Sequence, residues 1–295
     1  KIDVTGSSTT TWGSFYTKSG NPAPLFKAKD GSSVTQPITE RPEVSDHPDG
    51  QSGFMIYFGT GRYLADGDKT PTASPIQSFY GIWDKDSGGP LGGSDTAKVD
   101  RSRLRSQTIS TSTTIVAGQT VRTVTNDKLG NAGTTGNPQT WGDSGSGCGA
   151  ASGSCMGWVD DLLTNVTSPV NSLGEMSVSN PVLLGGATPR IIFTTLIPES
   201  SPCSAGGSSW LMELNPIHGG LLGVDVFGFS SGSTIITTVV GINQNIGIMP
   251  EPVIVRDPAN KRDIKIVTGT TGAIQSVMNY PISSGGGRQS WRQLK

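Results

Sequence analysis

Three kinds of residue in this chain are spaced as though for chemistry: paired aspartates, cysteines beside glycine, and isolated histidines and serines in turn-like segments. Asp84-Lys85-Asp86 and Asp66-Gly67-Asp68 are the acidic pairs that resemble the opening of a calcium loop. A full loop needs about six to eight oxygens, alternating over about twelve residues and closing on a bidentate Glu. Asp84-x-Asp86-x-Gly88 supplies the start without that Glu, which leaves Asp84 and Asp86 as weak metal candidates. The competing reading is a solvated turn whose carboxylates accept backbone N–H bonds. Asp160-Asp161, beside Trp158, reads as the end of a strand.

The three cysteines, Cys148, Cys155 and Cys203, match no zinc spacing, and neither histidine lies near them in sequence. They are disulfide candidates for an oxidising compartment. Cys148–Cys155 would staple a small Gly/Ser loop and leave Cys203 unpaired, while Cys155–Cys203 is the rival pairing. His47 sits in Asp46-His47-Pro48-Asp49-Gly50 and His218 in Pro216-Ile217-His218-Gly219, both turns. Ser144 and Ser152 adjoin glycines, but no Gly-x-Ser-x-Gly elbow appears, so no Ser/His/Asp triad is expected and the chain reads as non-enzymatic. The segment 126–156 is long, polar and Gly-rich, the kind of loop where binding concentrates on a rigid scaffold. Within it Trp141 and Asp143 are the candidate surface contacts.

The elements that would position these residues follow from composition and pattern. Of 295 residues, 41 are Gly and 19 Pro, and 15% are charged, against roughly 25% in ordinary soluble domains. A net charge of −1 gives no basic field for nucleic acid or anionic membrane. No run approaches the roughly 18 apolar residues of a membrane span. Short apolar segments divided by Gly, Ser and Thr predict an exported all-β protein with many turns. The chain opens on Lys1-Ile2-Asp3 without Met or a leader, as though a strand were already under way, so upstream sequence is expected.

A loose repeat organises the strands. Pro42-Glu43-Val44 precedes a strand at 54–58 that runs into Gly59-Thr60-Gly61, and an aromatic strand follows at 79–83. Pro181-Val182-Leu183 precedes 191–195 and then 210–215. Pro252-Val253-Ile254 precedes 264–269 and then 274–279. Between the first two units lies what reads as another sheet, from 103–109, 114–125 and 157–162. Each unit is a meander that cannot cover both of its faces, so like units must stack. Radial stacking predicts a β-propeller, with about four blades once the long loops are allowed for. A β-sandwich is the structural alternative.

Several segments, taken in order, carry a resemblance: APLFKAKD (23–30), FGTGRYL (58–64), QSFYGIWD (77–84), GWVDDL (157–162), IIFTTLIP (191–198), Pro202-Cys203, SSWLMELN (208–215) and RQSWRQLK (288–295). Together they resemble the C-terminal domain of the PilY-type proteins, which include the neisserial PilC adhesins of the type IV pilus tip. The resemblance implies a quinoprotein-like β-propeller, of which residues 1–295 are an incomplete C-terminal portion forming a single domain. It implies export to the pilus tip, cell surface or outer membrane of a Gram-negative bacterium, and roles in pilus biogenesis, adhesion and twitching motility. The implied partners are minor pilins, the remaining N-terminal part of the same polypeptide, and a host or abiotic surface. The family's calcium loop would lie upstream of Lys1, so no cofactor is expected in this segment. Two alternatives are a quinoprotein-like periplasmic dehydrogenase and a secreted carbohydrate-binding propeller.

Overall fold

The computed structural model describes residues 2, 3, 8, 12–70, 72–86, 89, 90, 97–110, 114–127, 129, 140–143, 147, 148, 154–163, 173–186, 188–201, 206–231, 234–257, 259 and 262–279. Cys203, Trp291 and the segment 288–295 fall outside them. Among the described residues helix is confined to 3₁₀ turns, Asp66–Lys69 and Arg101–Arg103, and none is long and apolar enough to cross a membrane.

Each of the three repeat units forms one antiparallel sheet. The first is built on β1 (Glu43–Asp46), β2 (Phe54–Gly59) and β3 (Ser78–Asp84), with Val44 opposite Ile56 and Ile56 opposite Ile82. The stretch read as an intervening sheet is instead shared out. Its strands β4 (Arg105–Thr108) and β7 (Gly157–Asp161) extend the first sheet to the order β1-β2-β3-β7-β4, with β4 parallel to β7. Its strands β5 (Thr114–Val116) and β6 (Gln119–Arg122) join the second sheet. That sheet also holds β8 (Val182–Leu184), β9 (Arg190–Thr194), β10 (Trp210–Leu214) and β11 (Gly241–Asn243), in the order β5-β6-β11-β10-β9-β8. The third sheet is β12 (Val253–Asp257), β13 (Arg262–Thr268) and β14 (Ile274–Asn279).

The sheets stack face to face. In β3 every residue is buried, because both faces of the first sheet are covered. On one side Phe26 packs on Phe58 and Tyr80, and Arg101 holds Asp161 through two hydrogen bonds of 2.8 Å. On the other side Phe79 stacks on Phe193 of the second sheet at 3.7 Å between ring centres. Trp158 lies beneath that junction and donates its indole N–H to the Pro216 carbonyl at 2.9 Å. Its ring needs Gly81 in the neighbouring strand and Gly219, at φ +71°, because a Cβ at either position would strike it. Trp83, Trp158 and Trp210 are all buried, as strand tryptophans were expected to be, whereas Trp12 is half exposed.

The second sheet turns its other face to the third. Ile192, Leu211, Ile242 and Val121 meet Val267 and Val277 in a separate apolar core. Four fully buried charged side chains sit in the same junction. Arg190 faces Asp263 at 3.2 Å and Glu213 at 3.5 Å, while Lys265 pairs with the other Glu213 oxygen. Lys265 also lies 4.2 Å from the centre of the Phe227 ring. Burial drives the Lys265 ammonium well below its ordinary value, with Arg190 adding to the effect.

Candidate functional site

The residues singled out around Trp141 converge at one end of the first sheet. Thr140–Trp141 pairs in parallel with Ser154–Cys155, and Gly142 N–H continues the pairing to the Cys155 carbonyl at 3.0 Å. Cys148 is disulfide-bonded to Cys155, and its N–H donates to the Ser102 carbonyl at 2.9 Å. The disulfide closes a loop within the long insertion, and backbone hydrogen bonds dock the base of that insertion on the turn Arg101–Arg103.

Trp141 then meets two residues from distant parts of the chain. The His47 ring stands edge-on to Trp141 at 4.3 Å and to Trp83 at 5.4 Å. The Trp141 indole N–H donates to Asp49 Oδ2 at 2.8 Å, and the Trp83 indole N–H to the Ser52 carbonyl at 2.8 Å. His47 Nδ1 accepts the Asp49 N–H at 3.2 Å, which assigns the ring proton to Nε2. Burial lowers the His47 pKa to about 4, so the ring is neutral. Lys85, leaving the end of β3, reaches Asp143 at 3.0 Å and passes 5.9 Å from the Trp83 ring centre. Lys98 approaches the other Asp143 oxygen at 3.9 Å. The Lys85 hydrogen bond, chiefly, keeps the Asp143 carboxyl below its usual range.

This corner is a partly exposed aromatic and ionic patch on a stiff support. Its groups can stack, accept and donate hydrogen bonds and pair with charge. His47 faces two indoles rather than a nucleophile. Sequence reading found Trp141 and Asp143 but treated His47 as a plain turn residue. No local signal could have added it, because its partners lie 36 and 94 positions away.

The acidic pairs have other duties. Asp84 is buried, not solvated as a turn aspartate was expected to be: it accepts the Tyr16 hydroxyl and, at 3.0 Å, the Asp86 N–H. Among the described residues no three His, Cys, Asp or Glu side chains converge as a metal site. Asp68 caps its own turn by accepting the N–H groups of Leu64 and Ala65, each at 2.9 Å. Asp160 is fully buried, and burial raises its carboxyl well above the ordinary range. The Gly59-Thr60-Gly61 corner is buried, but Tyr63 and Leu64 beyond it line an open groove of about 520 Å³, which reaches Met249, Pro250 and Thr270.

An all-β stack of look-alike meanders, with functional groups on the loops and strand ends, defines this protein as a β-propeller portion. A family profile described as the PilY1 beta-propeller domain matches residues 4–121. That match and the relatives that follow support a PilY1-type protein. It is 29% identical to the type IV pilus biogenesis factor PilY1 of Pseudomonas aeruginosa (strain UCBPP-PA14), over 92% of this chain and 22% of the relative. It is 33% identical to a PilY1 homolog of Xylella fastidiosa (strain Temecula1), over 75% of this chain and 12% of the relative. The crystal structure of the P. aeruginosa PilY1 C-terminal domain superposes with a TM-score of 0.62 at 22% identity. That match covers 91% of this chain and 48% of the solved one. The chain thus spans about a fifth or less of the curated relatives it matches.

Proposed function

We propose that this chain is the C-terminal propeller part of an exported type IV pilus-tip factor, acting in pilus biogenesis, surface adhesion and twitching motility by non-catalytic protein–protein contact. Its partners on this reading are minor pilins, the remainder of its own polypeptide, and a host or abiotic surface. Any calcium the protein uses belongs to sequence outside residues 1–295. The observation that carries the proposal is the stapled Trp83–His47–Trp141 corner with its Lys85–Asp143 pair. Trp141, Lys85 and Asp143 stand partly exposed there, backed by the buried Trp83 and His47, and partly exposed aromatic and charged groups are what protein contacts favour.

The test replaces Trp141 by Ala and, separately, Asp143 by Lys in the whole polypeptide. Surface pili, adhesion and capture of purified minor pilins are then measured, with circular dichroism as the folding control. At least tenfold weaker capture by both variants, with unchanged folding, is expected. Capture equal to that of the unaltered protein removes this corner from the function. Glycan-array binding that Trp141→Ala abolishes favours a carbohydrate-binding propeller instead.

A further inference from the structure

We propose that the groove beyond the Gly59-Thr60-Gly61 corner is a second contact site, which takes the apolar side of an amphipathic segment of a partner protein. The inference rests on the reading of this chain as a protein-contact module and gives it a site built from other residues than the Trp141 corner. One strand of each large sheet ends at the groove. Tyr63 and Leu64 follow β2, Thr194 and Thr195 close β9, and Thr268 to Thr270 close β13.

Its lip is a turn fixed by its own hydrogen bonds. Asp68 accepts the Leu64 and Ala65 N–H groups, each at 2.9 Å, and Arg62 Nε and Nη2 at 3.0 and 2.9 Å. The Tyr63 hydroxyl reaches the Gly206 carbonyl at 3.4 Å. Leu64 is presented outward from this turn at 79% exposure, the highest of any large hydrophobic residue described. A singly exposed leucine is ordinary on a protein surface. One on the lip of an apolar groove extends a patch, and the Asp68 cap makes no demand for leucine there.

The chemistry of the walls selects the occupant. No charged side chain is among the described residues that line the groove, so an ion entering it would lose water without gaining a partner. Hydroxyls are numerous but largely spent on the walls themselves. Thr39 donates to the Gly61 carbonyl at 3.0 Å, Thr195 to Glu175 at 2.6 Å, and Ser179 and Thr194 bond each other. Thr270 Oγ1 accepts the Ile248 N–H at 3.0 Å. A sugar therefore finds few directed partners. What remains is aliphatic: Leu64, Val178, Leu196, Ile248, Met249 and Pro250.

Charge returns at the rim, in both signs. Exposed Arg62, Asp66 and Lys69 flank Tyr63 and Leu64. Near Thr39 and Pro250, Asn180 accepts the Arg41 N–H at 2.9 Å and donates to the Glu251 carboxylate at 3.2 Å. A lipid chain has no use for such a rim, whereas an apolar middle ringed by polar groups is the anatomy of a protein contact. Grooves of this kind take amphipathic segments whose aliphatic anchors lie on one side. The volume of about 520 Å³ has room for several such anchors.

The test selects a random-peptide library on the whole polypeptide. Enriched peptides should carry aliphatic residues between charged ends. Their binding, read by fluorescence anisotropy, should fall at least tenfold in Leu64→Glu and persist in Leu64→Met, with circular dichroism unchanged. Failure to enrich any peptide overturns the proposal, as does equal binding to Leu64→Glu and the unaltered protein. Peptides lost with Trp141→Ala but not with Leu64→Glu belong to the Trp141 corner and also count against the groove. A second measurement follows thiol labelling of Leu64→Cys in the whole polypeptide, above the background of the unaltered protein. Labelling should be fast, and at least tenfold slower with a selected peptide at saturation. Slow labelling without peptide would show the lip already covered by a second copy or by sequence outside residues 1–295, and overturns the proposal. Slowing by phosphatidylcholine vesicles and not by peptide assigns the groove to lipid and overturns it too. Neither readout passes through Trp141 or Asp143, so failure here leaves the reading of that corner standing.

Discussion

Glu40 is the residue whose environment most directly ties stability to pH. It accepts the Gly59 N–H and the Ser177 hydroxyl, the latter at 3.4 Å, and so bridges the first sheet to the segment that leads into the second. Burial outweighs those hydrogen bonds and raises its pKa from 4.5 to about 8. The unfolded chain therefore releases this proton at lower pH than the native one. The Glu40 contribution is whole below about pH 4.5 and is lost as pH rises toward about 8, at up to about 1.4 kcal/mol per pH unit. Urea denaturation at several pH values should show that slope in the parent and a flatter one in Glu40→Gln; identical slopes would remove Glu40 as the source. His47 acts at the acid end. Its folded pKa of about 4 lies below the ordinary 6.5, so its contribution is whole above 6.5 and is lost as pH falls toward 4. Indole fluorescence should report His47 protonation, since two tryptophans flank the ring, and Trp141→Phe should reduce that signal. At this scale the sequence disclosed which residue types were unusual for a loop, Trp141 and Asp143 among them. It could not disclose His47, Lys85 or Glu40, whose roles arise from contacts 94, 58 and 137 positions apart.

Among the elements, β3 and β7 show how a strand pair can depend on missing side chains. Trp158 is accommodated because its cross-strand partner is Gly81, and Gly219 leaves room on the other side. Gly81→Ala forces the indole or the strand to shift and should cost about 1–3 kcal/mol, read as a lower urea midpoint at unchanged denaturant sensitivity. The Cys148–Cys155 bridge closes a short loop, so Cys155→Ser should cost about 2–3 kcal/mol in the loop-entropy account. Loss of capture by Cys155→Ser without global unfolding would show that the staple serves the Trp141 corner. The three meanders were legible because alternation, a leading Pro and Gly-rich turns are local signals. The sharing of β4 to β7 between two sheets was not legible. Strand pairing is chosen by which edge is free in three dimensions, and the parallel pairing of β4 with β7 has no tight turn to announce it.

At the level of the whole molecule, the stack is held by two junctions that both bury charge. The first-to-second junction is centred on Phe79 and Phe193 and encloses the Arg122–Glu175 pair, with Arg122 3.8 Å from the centre of the Trp210 ring. The second-to-third junction combines an apolar core with the buried set Arg190, Glu213, Asp263 and Lys265. Removing one member, as in Lys265→Met, leaves an uncompensated buried charge and should cost about 3–5 kcal/mol. Replacing the pair together, Glu213→Leu with Lys265→Met, should recover most of that loss in a double-mutant cycle. If the two single changes instead add in the double variant, the pair is not acting as a unit.

A chain of look-alike sheets can be threaded into wrong neighbours, because one apolar face accepts another with little discrimination. The four buried charges make this junction a lock with one key: a sheet docked out of turn would strand Arg190 and Glu213 in a dry interior. If that penalty falls on mistaken assemblies more than on the native one, the network would proofread blade order. The doubly apolar variant should match the parent in equilibrium stability yet refold with more aggregated or misassembled material, which size-exclusion chromatography after dilution from denaturant would reveal.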